Sequence, residues 1–282
     1  MTVLAPAARF LRFVRFSHTV FAMPFALGAM VVAANGLPPP RAIFLIVLAM
    51  IFARTAAMIF NRLADWNLDK RNPRTAGRHT LISRGAAVAA CAVSSVLFLA
   101  TAWFISPLCF GLSPLALAII FFYSFTKRFT HAAQFFLGLA LAVAPVGAWL
   151  AVTGGFAWPP LVLALAVVLW LAGFDTIYAT QDYEIDCREG LKSMVVWLGI
   201  PRALRAAQIL HALTWLALAG FGLSAHLGAA YGIGLALILG LLVYEHNVAR
   251  SRDVDAINAA FFNANAAIGV VFVASTFIDR LA

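Results

Sequence analysis

Leu161-Val-Leu-Ala-Leu-Ala-Val-Val-Leu-Trp170-Leu-Ala-Gly-Phe-Asp175-Thr-Ile-Tyr178-Ala-Thr-Gln-Asp182-Tyr-Glu-Ile-Asp186 is a long apolar run that closes on four acidic side chains. From Leu161 to Phe174 it carries no charge. In lipid, a run of this kind must be helical, because only a helix satisfies every backbone N–H and C=O within the segment. Carboxylates at the end of such a helix are costly to keep and mark a functional site by default. A second apolar run ends in the same way, at Asn61-Arg-Leu-Ala-Asp65-Trp-Asn-Leu-Asp69. Only 11 of the 282 residues are acidic, so these two clusters hold most of the chain's negative charge.

The composition around them is that of a membrane protein. Hydrophobic residues make up 63% of the chain and the mean hydropathy is +0.94, against about half apolar in soluble domains. Apolar periods and Pro/Gly breaks predict nine helices, at 17–34, 42–66, 86–105, 110–125, 135–153, 161–183, 203–224, 229–247 and 259–277. The expected fold is therefore an all-α integral membrane protein, a bundle of nine transmembrane helices forming one domain over residues 1–282. Arg9, Arg12 and Arg15 resemble the charged region of a signal peptide, but no small-residue cleavage site follows, so the first segment reads as helix one. Cys91, Cys109 and Cys187 form no CxxC or Cys/His pattern and point to neither a disulfide framework nor zinc.

The net charge of +9 does not point to nucleic acid, because its distribution is that of a membrane topology. With the N-terminus in the cytoplasm, seventeen of the 20 Lys and Arg fall on inner segments, and only Arg41 and Arg280 on outer ones. This is the positive-inside pattern. It predicts a cytoplasmic N-terminus, cytoplasmic active-site loops and an outer C-terminus. Four crossings separate the two acidic clusters, so both face the cytoplasm, together with Tyr123-Ser-Phe-Thr-Lys127-Arg128-Phe-Thr130.

Helical geometry sorts the acids further. At about 100° per residue, Asn61, Asp65 and Asp69 form one stripe, and Asp175, Tyr178, Asp182 and Asp186 form another. Glu184 points roughly away from Asp175 and is expected to be dispensable. A single DxxxD would read as a solvated helix end; two on one side of the membrane favour a site. Oxygen donors of this kind suit Mg²⁺, which keeps water and substrate phosphate in its shell. His79, His131 and His211 are not spaced as zinc ligands. Carboxylates alone would repel a diphosphate, and Arg74, Arg78, Lys127, Arg128 and Lys192 in the inner loops supply the cations.

These motifs resemble those of the UbiA superfamily of membrane prenyltransferases. Its Asn-x-x-x-Asp-x-x-x-Asp with Arg-Thr-x-x-Arg reads here as Asn61, Asp65, Asp69 and Arg74-Thr75-Ala-Gly-Arg78. Its Asp-x-x-Tyr-x-x-x-Asp-x-x-x-Asp reads as Asp175, Tyr178, Asp182 and Asp186. The basic segment at Lys127-Arg128 and the nine-helix architecture fit as well. Two departures are Arg62, where many members have Asp, and Arg78-His79-Thr80-Leu81, where the family has Arg-Pro-Leu. Phe16-Ser-His-Thr-Val-Phe-Ala-Met-Pro-Phe25 and Arg71-Asn-Pro-Arg-Thr75 resemble the quinone branch, of the 4-hydroxybenzoate polyprenyltransferase type.

The resemblance implies an enzyme of the bacterial-type inner membrane. It would transfer a polyprenyl group from an isoprenoid diphosphate to a small aromatic acid in ubiquinone-type biosynthesis, with Mg²⁺ as cofactor and lipid as surroundings. Asn61, Asp65, Asp69, Asp182 and Asp186 would hold metal, while Arg74, Arg78, Lys127, Arg128 and Lys192 would bind diphosphate. Asp175, Tyr178, Lys127 and Arg54 would be catalytic. Arg54 lies two turns before Asn61, and Asp175 two turns before Asp182. They are expected at similar depth, either as a buried ion pair or as the polar floor of an acceptor pocket. Dihydroxynaphthoate, in the futalosine route to menaquinone, is the alternative acceptor. A secondary transporter, which also carries intramembrane acids, is the reading from another class.

Overall fold

The computed structural model describes residues 9–10, 12–14, 22–71, 75, 77, 80–251 and 254–282, apart from the side chains of 250–251 and 254–261. Among these the regular structure is entirely helical. The long helices are α1 (Met23–Ala34), α2 (Pro40–Ala64), α4 (Arg84–Ile105), α5 (Pro107–Thr126), α6 (Ala133–Thr153), α7 (Trp158–Ala179), α10 (Ile200–Ser224), α11 (Ala229–Ser251) and α12 (Val254–Leu281). Short helices α3 (Trp66–Arg71), α8 (Tyr183–Arg188) and α9 (Met194–Leu198) lie beside them.

Eight segments are long and apolar enough to cross a membrane. The ninth expected span, 17–34, is described only as the 12-residue α1; residues 17–21 lie outside the described residues. The nine-helix expectation is thus met for eight helices.

The breaks between helices follow local chemistry. Asn35 closes α1 in the left-handed conformation at φ 49°, and the N–H of Gly36 bonds to the Val31 carbonyl at 3.1 Å, a stop that ties up otherwise orphaned carbonyls. Proline opens α7 in its first turn, where its missing N–H costs nothing. Ser83 caps α4 by accepting from the Ala86 N–H at 3.2 Å.

The chain divides into two compact units, one of Met1–Thr19 and Phe44–Phe125, the other of Val20–Ile43 and Thr126–Ala282. In the first, Phe13 and Val14 pack with Ile59, Ala87 and Cys91, which come from α2 and α4. In the second, neighbouring helices form a closed ring: α1 on α6, α6 on α7, α7 on α10, α10 on α11, α11 on α12, and α12 back on α1. Phe25, Trp170, Phe221 and Phe272 fill its core, with Phe25 and Phe272 ring centroids 4.9 Å apart. Since lipid is as apolar as these side chains, close fit rather than water exclusion holds such helices together. Gly138 illustrates the fit: a Cβ there would lie 2.8 Å from the Val168 Cα, so α6 and α7 touch backbone to backbone.

Candidate active site

The first acidic motif straddles the end of α2. The helix expected to reach residue 66 stops at Ala64, Asp65 sits in a turn, and α3 begins at Trp66. The stripe nevertheless persists in the backbone. Asp65 N–H bonds to the Asn61 carbonyl at 3.0 Å, and Asp69 N–H to the Asp65 carbonyl at 2.8 Å. Asn61 Nδ2 reaches Ser124 Oγ at 3.4 Å. Thr75, buried, donates from Oγ1 to the Asp69 carbonyl at 3.0 Å and so closes the end of the motif. Arg74 and Arg78 lie outside the described residues.

Arg62 explains one departure from the family pattern. It is only 3% exposed, and its guanidinium lies 5.1 Å from the centroid of Phe13, a favourable cation–π placement. The cation is therefore turned into the first unit's own packing, against the N-terminal segment. Arg54, on the same helix, is half-buried.

The second motif also crosses a break. The helix expected to run to 183 ends at Ala179, and Thr180–Asp182 form a 3₁₀ turn before α8. A 3₁₀ turn advances about 20° more per residue than an α-helix, so Asp182 rotates by about 60° relative to a continuous helix and still lies within roughly 40° of Asp175. Asp182 is 8% exposed and Asp186 4%, whereas Glu184 between them is exposed. Asp175 and Tyr178, on α7, are half-buried.

Lys127 lies 3.7 Å from Asp186, Nζ to Oδ2. Two loops are stitched together to make this pairing. The Lys192 N–H donates to the Lys127 carbonyl at 2.6 Å, and the Lys192 ammonium donates to the Phe129 carbonyl at 3.3 Å. His131 Nδ1 meets the Ser193 carbonyl at 3.2 Å, and the Met194 N–H donates to Gln134 Oε1 at 3.3 Å. Gln134 and Ser193 are both fully buried. Lys192 thus has a structural task that its place in a basic loop does not reveal, while Arg128 is exposed. Within each unit, no group of three or more His, Cys, Asp or Glu among the described residues is arranged to hold a metal ion.

Residues 22–267 match the model of the UbiA prenyltransferase family. The chain belongs to that family. It is an integral membrane prenyltransferase, and the transporter reading falls away. A 4-hydroxybenzoate octaprenyltransferase of Vibrio parahaemolyticus is 34% identical over 245 residues, which cover 84% of each chain. The apo structure of a UbiA homolog from Aeropyrum pernix superposes with a TM-score of 0.84 at 29% identity, covering 93% of this chain and 98% of that one. A UbiA homolog from Archaeoglobus fulgidus bound to DMAPP and Mg²⁺ shares the fold, with a TM-score of 0.77 at 24% identity over 97% of this chain and 99% of that one.

Sequence reasoning missed Thr75, Ser124 and Gln134 as supports for the motifs. Thr75 lay inside a quoted motif, but a backbone contact such as its bond to Asp69 leaves no trace in residue spacing.

Proposed function

We propose that this protein transfers a polyprenyl group from an isoprenoid diphosphate to an aromatic acceptor of the 4-hydroxybenzoate type, with Mg²⁺, at the cytoplasmic face of a bacterial-type inner membrane. The observation that carries this reading is the named relative at 34% identity across 84% of the chain, joined to two complete acidic motifs. Oxygen donors without Cys or His are what Mg²⁺ takes. Asp182 and Asp186 fit it further as buried carboxylates, with the Lys127 ammonium 3.7 Å from Asp186. Asn61, Asp65, Asp69, Asp182 and Asp186 would hold the metal, which supplies charge compensation for a leaving diphosphate.

The chain's own residues do the rest. The allylic C–O bond breaks to release diphosphate, a C–C bond to the ring forms, and the displaced ring proton leaves to the diphosphate or water. Lys127, with Arg74, Arg78, Arg128 and Lys192, presents cations to the charge that builds on the diphosphate. Tyr178 offers an aromatic face to the allylic cation, an interaction of roughly 0.5–2 kcal/mol. Arg54 takes the acceptor carboxylate, and Asp175 orients the ring hydroxyl or receives its proton.

The test is an acceptor panel with Mg²⁺ and a prenyl diphosphate, read by product mass. Prenylated 4-hydroxybenzoate is expected. Product from dihydroxynaphthoate alone would move the acceptor to the menaquinone side, and intact diphosphate with every acceptor would overturn the proposal.

A further inference from the structure

A second polar cluster lies outside both acidic motifs, inside the helix ring of the second unit. The indole N–H of Trp170 donates to Asn265 Oδ1 at 2.9 Å, and Asn265 Nδ2 donates to Glu245 Oε1 at 2.8 Å. The other carboxylate oxygen of Glu245 lies 3.8 Å from His211 Nδ1. His211 Nε2 meets the Trp170 carbonyl at 3.2 Å, which closes the circuit on the residue where it began. All four residues are at most 2% exposed. They come from α7, α12, α11 and α10, each from a segment able to span the membrane. The His246 ring stands 4.8 Å from that of His211, centroid to centroid.

The donor sense of the circuit is fixed by its ends. An indole N–H only donates and a backbone carbonyl only accepts. Asn265 must therefore turn its oxygen to Trp170 and its amide nitrogen to Glu245, and His211 must carry hydrogen on Nε2. Glu245 Oε2 and His211 Nδ1 then face each other at 3.8 Å, an ion-pair separation longer than a hydrogen bond. A glutamine at 245 would keep the acceptor for Asn265 and turn an amide N–H toward His211 Nδ1.

We infer that this circuit is a positioning device for prenyl transfer: it sets the axial and rotational register of α7, and with it the place of Asp175 and Tyr178. Gly173 supports this independently. A Cβ there would run into the His211 imidazole, so the ring is seated directly against the α7 backbone. Asp175 follows Trp170 by five residues, about 7.5 Å along the axis and about 140° around it. The circuit thus grips the helix from the side away from Asp175. Apolar side chains could pack these helices but could not fix donor and acceptor positions. Reaction geometry is sensitive enough for this to matter, since a misplacement of about 1 Å can cost on the order of 100-fold in rate. The inference rests on the reading of Asp175 and Tyr178 as reacting-site residues.

The experiment compares kcat, both KM values and the thermal midpoint of the full chain in detergent for Glu245→Leu, Glu245→Gln, the double change Gly173→Ala/His211→Ala, and Asp175→Asn. Glu245→Leu should lower kcat tenfold or more (an order-of-magnitude figure) with the KM for prenyl diphosphate unchanged, and Glu245→Gln should restore kcat. Gly173→Ala/His211→Ala refills space without restoring the circuit, so it should stay slow while folded; it also decides the matter if Glu245→Leu does not fold. Wild-type kcat in that double variant would overturn the inference, and so would a Glu245→Gln enzyme as slow as Glu245→Leu, which would make Glu245 a proton carrier instead. Asp175→Asn at full activity would defeat the underlying reading of the site. An inactive Asp175→Asn beside a fully active Glu245→Leu would defeat the circuit alone.

Discussion

At the scale of single residues, burial separates the acids of the second motif. Asp182 and Asp186 are buried and Glu184 is exposed, as their helical phases require. Asp65→Asn and Asp182→Asn should each abolish turnover in a folded protein, because each removes one charged donor from the proposed metal set. Glu184→Gln should stay within about twofold of wild type, since surface changes away from such features are nearly neutral. Turnover assays paired with thermal melts check both, and activity surviving in Asp182→Asn would remove the second motif from the site. Arg54→Leu should raise the acceptor KM far more than that for prenyl diphosphate. An Arg54→Leu protein that unfolds, and is rescued by Asp175→Leu, would assign the pair to packing instead.

Helix existence was legible in the sequence because apolar length and Pro/Gly punctuation are strong signals; the expected span 229–247 begins where α11 does. The interruptions at Asp65 and at Thr180–Asp182 were not legible, since an acidic stripe reads the same through a turn as through a continuous helix. The stitched loops escaped notice for a related reason: Gln134 and Ser193 act on backbone groups distant in sequence. Glu245 was a different kind of miss. The rule that singled out the two acidic clusters, that acids in apolar segments need a reason, applies to it equally. Replacing Gln134 by Leu would leave the buried Met194 N–H without its acceptor, at a cost of roughly 1–3 kcal/mol. A lower melting temperature and a raised KM for prenyl diphosphate are expected, because Lys127 and Lys192 lose their shared frame. A purely thermal effect with unchanged KM would separate the frame from the site.

For the whole molecule, topology and metal dependence are the open tests. EDTA should abolish turnover and Mg²⁺ should restore it; full activity after EDTA treatment would rule out the metal site. In intact cells, a membrane-impermeant thiol reagent should spare Cys187 although its side chain is exposed, because the charge distribution predicts an inner position for that loop. Labelling of Cys187 from outside would invert the protein and move the proposed site with it.

The ring of the second unit also has a temporal side. Its first helix, α1, and its last, α12, are direct neighbours: Gly28 lies against Phe272, and Asp279 on α12 accepts from the Gly228 and Tyr231 N–H groups at the start of α11. During synthesis α1 leaves the ribosome before the helices of the first unit and α12 after every other helix of the ring, so the earliest helix must wait for the latest before its surface is covered. Such distant pairings are slow to form and leave the intermediate exposed. A chain stopped after Ser251 should therefore be cleared by membrane proteases rather than accumulate as a remnant lacking α12. The final helix is the clasp that turns an unfinished row of helices into an enclosure.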